Sequence, residues 1–273
     1  MKEFKNKNVL ITGGSSGIGL ALAKKLVAAG ANVWILARRE KLLVETVSQL
    51  EKVKASNTQK IGKIKADVSN FSELKAAIEK VFTDKFTPDL LINCAGLVHP
   101  GEFLEIEPGD FAADITVDYL GTVYTTKVIA PFMVSNKSGH IVNISSLAGI
   151  VPIYGYSAYA PAKYAVRAFS EILKTELALY NIHVSVVYPP DTETPQLEYD
   201  NAHKPSVTKE ITQGGGLLSA SAVAECILKG IKKEKFTIIP GFEGKLLKAF
   251  SPIIGNVLHM ITLKKIKQQK KLS

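Results

Sequence analysis

Tyr159 and Lys163 stand four residues apart in "YAPAK", a spacing that places both side chains on one face of a helix. An ammonium beside a phenol favours the phenolate and lowers the tyrosine's normally high pKa, so the pair is expected to donate and accept a proton near neutral pH. Ser146 lies upstream, at the end of the apolar run "GHIVNIS", where its hydroxyl can hold a substrate oxygen against the phenol. Tyrosine and lysine at this spacing are common on amphipathic helices. The upstream serine and a glycine-rich turn near the N-terminus are what make the set specific.

That turn is "TGGSSGIG", Thr12 to Gly19, between the apolar run "NVLI" and the helical pattern "LALAKKL". Gly13, Gly17 and Gly19 let the backbone turn tightly and approach a pyrophosphate, with Ser15, Ser16 and Ile18 between them, and the following helix N-terminus supplies amide donors. The spacing departs from GxGxxG by one residue, and an ordinary βα turn is the plain alternative. At the end of the next apolar run, an acid would bind the ribose hydroxyl of NAD, whereas arginine pairs with the 2′-phosphate of NADP. The chain has Ala37 there, followed by Arg38 and Arg39, so NADPH/NADP+ is the expected cofactor, with the Ser15 hydroxyl able to reach the same phosphate.

The elements that must position these residues are legible as alternating patterns. Apolar runs of strand length, "NVLIT", "NVWILA", "KIGKIKAD", "DLLINCAG", "GHIVNIS" and "HVSVVYP", alternate with stretches of helical period. Gly30 is placed for a helix C-cap, and Ser69 or Asn70 for an N-cap. This order predicts a single Rossmann-type α/β domain, a doubly wound parallel sheet with helices on both faces, over residues 1–245. A shorter C-terminal extension, 246–273, follows it.

Composition narrows the partners. The chain has 273 residues, 46% hydrophobic and 22% charged, enough apolar sequence for one large core. Its net charge of +9 suits an anionic partner. The basic residues are spread without an aromatic-basic stripe, however, which argues against nucleic acid. Cys94 and Cys226 form no CxxC pair and have no histidine or acid at ligand spacing, so neither a disulfide framework nor a metal site is expected. "MKEFKNKNVLITGG" turns into a strand pattern before an apolar leader core can form. A cytoplasmic location, in a reducing compartment, is the expectation.

Over residues 5 to about 240, "TGGSSGIG", "ADVS", "NCAG", "NISS", "YAPAK" and "YPPDTETP" occur in an order that resembles the short-chain dehydrogenase/reductase family. The resemblance implies that Asp67, with Val68 beside it, meets the adenine, and that Asn93, Ala95 and Gly96 line the adenosine-ribose side. It implies that Lys163 also holds the nicotinamide ribose, and that Pro189, Thr192 and Thr194 border the nicotinamide end. Hydride transfer to a carbonyl follows, with Tyr159 protonating the nascent alkoxide and Ser146 stabilising it. Helices around 110–135 and 156–180 resemble those through which the family dimerises, so a homodimer or higher homo-oligomer is expected.

One departure stands out. Where the family usually carries an asparagine that helps hold a water of the proton relay, "TVDYLGT" has Asp118. An ionised carboxylate accepts but cannot donate, and it attracts the charge of Lys163 if the two are close.

"YPPDTETP" also replaces a usual Pro-Gly with Pro189-Pro190, and with "YAPAKYAVRAFSEIL" it resembles the branch of the family that reduces 3-ketodihydrosphingosine with NADPH. A long-chain lipid ketone is therefore the expected substrate. A steroid or 3-oxoacyl thioester is the alternative, and a non-catalytic NADP-sensing protein is the alternative of another class. Asp191 and Glu193 are either solvated loop acids or contacts to a sphingoid amino-alcohol head. A substrate lid is expected at about 195–220, hinged at Gly214, Gly215 and Gly216 and walled by Leu197, Tyr199, Leu217 and Leu218. The uncharged run Ala249 to Leu263 is too short for a span of about 20 residues. With lysines at 264, 265, 267, 270 and 271 it reads either as a peripheral membrane contact or as a helix packed on the domain.

Overall fold

Val9 and Ile11 on one side of a strand and Leu10 on the other are all fully buried, as a strand covered by helices on both faces requires. This strand, β1 (Asn8–Thr12), lies in the interior of the sheet in the computed structural model, which describes residues 1–212 and 216–269. It is followed by α1 (Gly17–Ala28), β2 (Asn32–Ala37), α2 (Glu40–Glu51), β3 (Ile61–Lys65), α3 (Phe71–Glu79), β4 (Leu90–Asn93) and α4 (Pro108–Asp114). A π-helical turn, Ile115–Leu120, leads into α5 (Gly121–Ser135) and then β5 (Gly139–Ile144), a short 3-10 turn, α6 (Tyr159–Ala178) and β6 (Ile182–Val187). The chain continues through β7 (Asp191–Glu193), α7 (Pro195–His203), α8 (Ser206–Thr212), β8 (Leu217–Ser219), α9 (Ala220–Lys232), β9 (Thr237–Ile238), α10 (Glu243–Ala249) and α11 (Ser251–Gln269).

The main sheet runs β3-β2-β1-β4-β5-β6-β9, with every pair parallel. Strand order reverses between β1 and β4, and a ligand crevice opens at the carboxyl ends of strands at such a point. Val9, Val33, Leu22 and Val223 form the core on one face, and Leu10, Trp34, Ile129 and Leu173 form it on the other. Alternate residues of one strand thus feed two cores, which accounts for the continuous apolar runs.

All six expected strands are present, and Gly30 takes φ +88 just beyond α1, a backbone position that glycine reaches without strain. Asn70 caps α3 by accepting from the Glu73 N–H at 3.2 Å. The segment expected as a lid contains two helices and a short strand among its described residues. Pro195 opens α7, Thr194 caps it by accepting from Leu197 N–H at 3.2 Å, and β8 pairs with β7. Gly214 and Gly215 lie outside the described residues, while Gly216 has φ +77.

The expected boundary at 245/246 falls inside α10. Ile254 and Leu258 of α11 pack against Ile150, Val151, Tyr188 and Ile239, and Lys265 pairs with Glu210 of α8. Among the described residues no helix is long and apolar enough to cross a membrane. Lys270 and Lys271 lie outside them.

Candidate active site

β5 ends at Ile144, and the chain then turns so that Ser146 stands beside the first residue of α6, Tyr159. The Ser146 Oγ accepts from Ala148 N–H at 3.1 Å, and its hydroxyl is near enough to the Tyr159 phenol to lower it. Leu147 N–H donates to Pro189 O at 3.1 Å, and Ser145 Oγ donates to Lys163 O at 2.8 Å. The serine turn is thereby fixed both to the end of β6 and to α6. Burial pushes the Tyr159 phenol up to about 12, with Lys163 and Ser146 pulling it down and Asp118 pushing it further up. This corrects the expectation of a lowered phenol pKa. The lysine acts in the expected direction, but desolvation of the phenolate outweighs it.

Lys163 lies with its Nζ 3.0 Å from Asp118 Oδ2, both side chains being almost fully buried. Burial lowers the ammonium, but Asp118, by charge and hydrogen bond, together with Tyr159 more than offsets it, so Lys163 is held above the ordinary lysine range. Burial pushes the Asp118 carboxyl up against the pull of Lys163 and of Leu97 N–H, which donates to Oδ1 at 2.9 Å. Asp118 sits in the π-helical turn, a local widening that recurs at functional sites. Gly96 makes room for the pair, since a Cβ there would lie 3.0 Å from Asp118 Oδ1 and 3.2 Å from Lys163 Nζ.

One turn before Asp118, the fully buried Asp114 accepts at 2.6 Å from His99 Nδ1. Its carboxyl is pushed up to about 6 by burial, with His99 opposing and Asp118 adding to the rise. Reading the loop "GLVHPGEF" as sequence makes His99 a solvated residue, whereas the structure ties it to this acid. The signal that could have revealed it is the spacing of Asp110, Asp114 and Asp118, which share a helix face.

The β1–α1 turn forms the cradle. Gly13 and Gly17 have φ of +65 and +52. A Cβ on Gly13 would meet the Ala95 backbone at 2.8 Å, and one on Gly19 would meet Gly13 O at 2.3 Å. Ser16 stands at the N-cap of α1 without a side-chain cap bond, and the first turn holds no acid. These are the conditions under which a helix start accepts an anion. Ser15 is buried, and Ile18 packs partly against the core.

Beside the cradle, Arg38 and Arg39 are exposed, and Arg38 Nη1 lies 3.7 Å from Asp67 Oδ2. Burial pushes the Asp67 carboxyl up, but hydrogen bonds from Ser69 N–H and Oγ, with Arg38, hold it below its usual range. Val68 is buried, and a Cβ on Gly121 would lie 2.7 Å from its Cγ2.

Not every expected residue turns the same way. The Asn93 amide donates to Thr126 Oγ1 at 3.1 Å and to Asn143 Oδ1 at 2.8 Å, in a buried ladder beneath the strand ends. Cys94 and Ala95 N–H groups donate to Thr12 Oγ1 at 3.0 and 3.1 Å, locking the β4 end to β1. Thr192 Oγ1 donates to Pro190 O at 2.8 Å, and Thr194 Oγ1 donates to Thr192 O at 3.0 Å. Thr194 reaches the cradle, its Cγ2 lying 3.0 Å from where a Cβ on Gly17 would be. Glycines that a Cβ would clash with, an uncapped helix start and two exposed arginines fit a dinucleotide carrying an additional phosphate.

Comparison with known proteins bears on the same residues. The family model described as short chain dehydrogenase matches residues 7–205. A 3-dehydrosphinganine reductase of Danio rerio is 37% identical over 251 residues, covering 91% of this chain and 75% of the relative. A 3-ketodihydrosphingosine reductase of Dictyostelium discoideum is 36% identical over 264 residues, covering 92% and 79%. Among solved structures, a short-chain dehydrogenase from Sphingobium yanoikuyae in complex with NADPH superposes with a TM-score of 0.78 at 24% identity, covering 93% of this chain and 95% of that one. The chain belongs to the short-chain dehydrogenase family.

Proposed function

We propose that the protein reduces the ketone of 3-ketodihydrosphingosine to dihydrosphingosine with NADPH, a step of sphingolipid synthesis. The observation that carries this reading is the convergence of Ser146, Tyr159 and Lys163, with Lys163 against Gly96, in a chain similar over nine-tenths of its length to reductases of that name. Arg38 and Arg39 hold the 2′-phosphate, and the start of α1 holds the pyrophosphate. NADPH bound there supplies the hydride to the carbonyl carbon.

The protein's own groups manage the oxygen. Ser146 Oγ and the Tyr159 hydroxyl both hydrogen-bond the carbonyl oxygen, and Tyr159 gives up its proton as negative charge builds there. The Lys163 ammonium, its Nζ 5.4 Å from the Tyr159 ring centroid, stabilises the phenolate left behind. Asp118 holds that ammonium in place. A phenol that holds its proton up to about 12 is suited to the donor role in reduction.

The lipid-facing parts follow from exposure. A cleft of about 310 Å³ at the start of α7 is lined by Glu193, Thr194, Pro195, Leu197, Glu198 and Asn201, and we assign only its apolar part, Pro195 and Leu197, to the alkyl chain. Tyr199 and Leu217 are exposed nearby. Val257, Met260 and Ile261 on α11, and Phe250 just before it, are exposed, as are Lys264 and Lys267, a composition suited to an anionic bilayer surface. Exposed Ile172 on α6 and Leu179 just after it support a homodimer through that helix.

The experiment is to incubate the protein with NADPH and 3-ketodihydrosphingosine and identify the product by mass spectrometry. Dihydrosphingosine formed in step with NADPH consumed is the expected result, and unchanged ketone contradicts the proposal.

A further inference from the structure

Behind the catalytic tyrosine lies a second set of charged groups that hydride transfer does not use. Tyr156 OH donates to Asp200 Oδ2 at 2.8 Å, and Lys204 Nζ donates to the same oxygen at 3.0 Å. Lys204 also lies 3.8 Å from Asp191 Oδ2. Asp200 and Lys204 are 5% and 4% exposed, whereas the Asp191 side chain is 37% exposed. Three elements supply the cluster, β7, α7 with the residue after it, and the loop before α6.

Two features point to a cation missing from this cluster. Its fixed charges are two carboxylates against one ammonium, which leaves an excess negative charge in a largely buried place, a costly arrangement unless it is neutralised. Asp200 Oδ1 is buried and has no hydrogen-bond partner among the described residues, and a buried acceptor left unsatisfied costs stability. Lys204 shows that the space beside the two carboxylates takes an ammonium. Burial pushes the Asp191 carboxyl up, with Lys204 opposing and Asp200 adding to the rise, so a second cation there relieves repulsion between the acids.

Position ties the cluster to the chemistry. The Tyr156 ring lies 5.8 Å from the Tyr159 ring, centroid to centroid, and the negative charge of Asp200 reaches the Tyr159 phenol, raising it. Asp191 follows Pro190 directly and shares β7 with Thr192, which borders the same turn. Glu193, the other acid of the turn, is exposed and joins no ion pair among the described residues.

We infer that Asp191 and Asp200, held by Lys204 and Tyr156, form a subsite for a substrate ammonium on the carbon next to the ketone. The inference rests on the proposed reading of the substrate as a 2-amino-3-ketone and deepens it. The ammonium enters on the partly open Asp191 side, while Asp200 stands behind it. Docking the amine there fixes which face of the neighbouring carbonyl meets Tyr159 and Ser146. Ketones without an amine lose the contact and also leave the negative cluster uncompensated, which makes the cluster a discriminating device.

The test uses the full-length enzyme with NADPH and two substrates, 3-ketodihydrosphingosine and its N-acetyl derivative, which has the same ketone and chain but no charge. Wild type is expected to favour the free amine by at least about tenfold in kcat/KM. Asp191→Asn is expected to lose most of that preference through a higher KM for the amine, with turnover of the N-acetyl form within about twofold of wild type. Asp191 is partly exposed, so this variant avoids the folding defect to which the buried Asp200→Asn is prone. Equal loss on both substrates, or no loss on either, overturns the subsite and leaves the reductase reading standing. Failure of wild type to reduce either compound overturns both.

Discussion

Lys163 and Asp118 form a buried ion pair, Nζ to Oδ2 3.0 Å, with the ammonium 5.4 Å from the Tyr159 ring centroid. A neutral residue at 118 would leave the ammonium's field wholly on Tyr159. With the carboxylate present, Asp118 raises the phenol and so opposes Lys163, which lowers it, and burial, the largest cause, decides the outcome. The pair also explains why a glycine stands at 96, where any Cβ would press on both groups.

Replacing Asp118 by asparagine removes the opposing charge and lets Lys163 act alone on the phenol. The Tyr159 pKa then falls, and the alkaline decline of kcat for reduction moves to lower pH by about one pH unit. NADPH affinity changes much less. A pH–rate series on wild type and Asp118→Asn, with NADPH titrated by fluorescence, checks both parts, and superimposed profiles rule out the assigned role.

Arg38 and Arg39 are exposed at the end of β2, where Ala37 occupies the place an acid would take. Changing both to serine is expected to weaken NADPH binding by about tenfold or more, since charge-assisted contacts in a solvated site are discounted by screening. NADH binding should stay within about twofold. Equal weakening of the two cofactors contradicts 2′-phosphate recognition.

Much of this arrangement was legible in the sequence because it rests on local constraints. The glycine turn, the Tyr159–Lys163 spacing and the six apolar runs each encode a backbone or helix-face requirement readable within a few residues. The strand β9 is only Thr237–Ile238 and pairs only at the sheet edge, too short to produce a period. Asp200 and Lys204 acquire meaning only when α7 brings them to Tyr156 and Asp191, a long-range meeting that spacing does not reveal. The same holds for His99 and Asp114. The Tyr159 pKa was misjudged because pair spacing conveys charge proximity but not burial.

His140 supplies a pH dependence independent of the active site. Ser185 Oγ donates to Lys235 O at 2.7 Å, which leaves His140 Nε2–H to donate to Ser185 Oγ at 2.7 Å. Nδ1 is buried without a partner among the described residues, so protonating it buries a charge. Burial, with His183 adding, holds the imidazole down at about 3, against an ordinary value of 6.5. The unfolded chain therefore takes up this proton first. The resulting stability is fully present above about pH 6.5 and is lost as pH falls toward 3, at up to about 1.4 kcal/mol per pH unit. Urea midpoints between pH 4 and 7 should fall more steeply for wild type than for His140→Gln, and parallel slopes contradict the assignment.

The exposed apolar residues of α11, among them Met260 and Ile261, share that helix with exposed Lys264 and Lys267, and exposed Phe250 lies just before it. Sedimentation with vesicles is expected to retain the protein on bilayers containing about one-third phosphatidylserine and much less on neutral phosphatidylcholine. Raising salt toward 0.5 M should release it. Ile261→Glu with Met260→Glu should abolish retention, and unchanged binding by that variant removes the α11 surface from the account.

The central claim is that this site reduces a sphingoid ketone. The most direct measurement compares kcat/KM for NADPH oxidation with 3-ketodihydrosphingosine, an acetoacetyl thioester and a 3-ketosteroid, using Tyr159→Phe as the control that binds NADPH normally and does not turn over. The account predicts a preference of at least about a hundredfold for 3-ketodihydrosphingosine and no turnover by Tyr159→Phe. A preference for either competitor, or retained turnover by the variant, contradicts it.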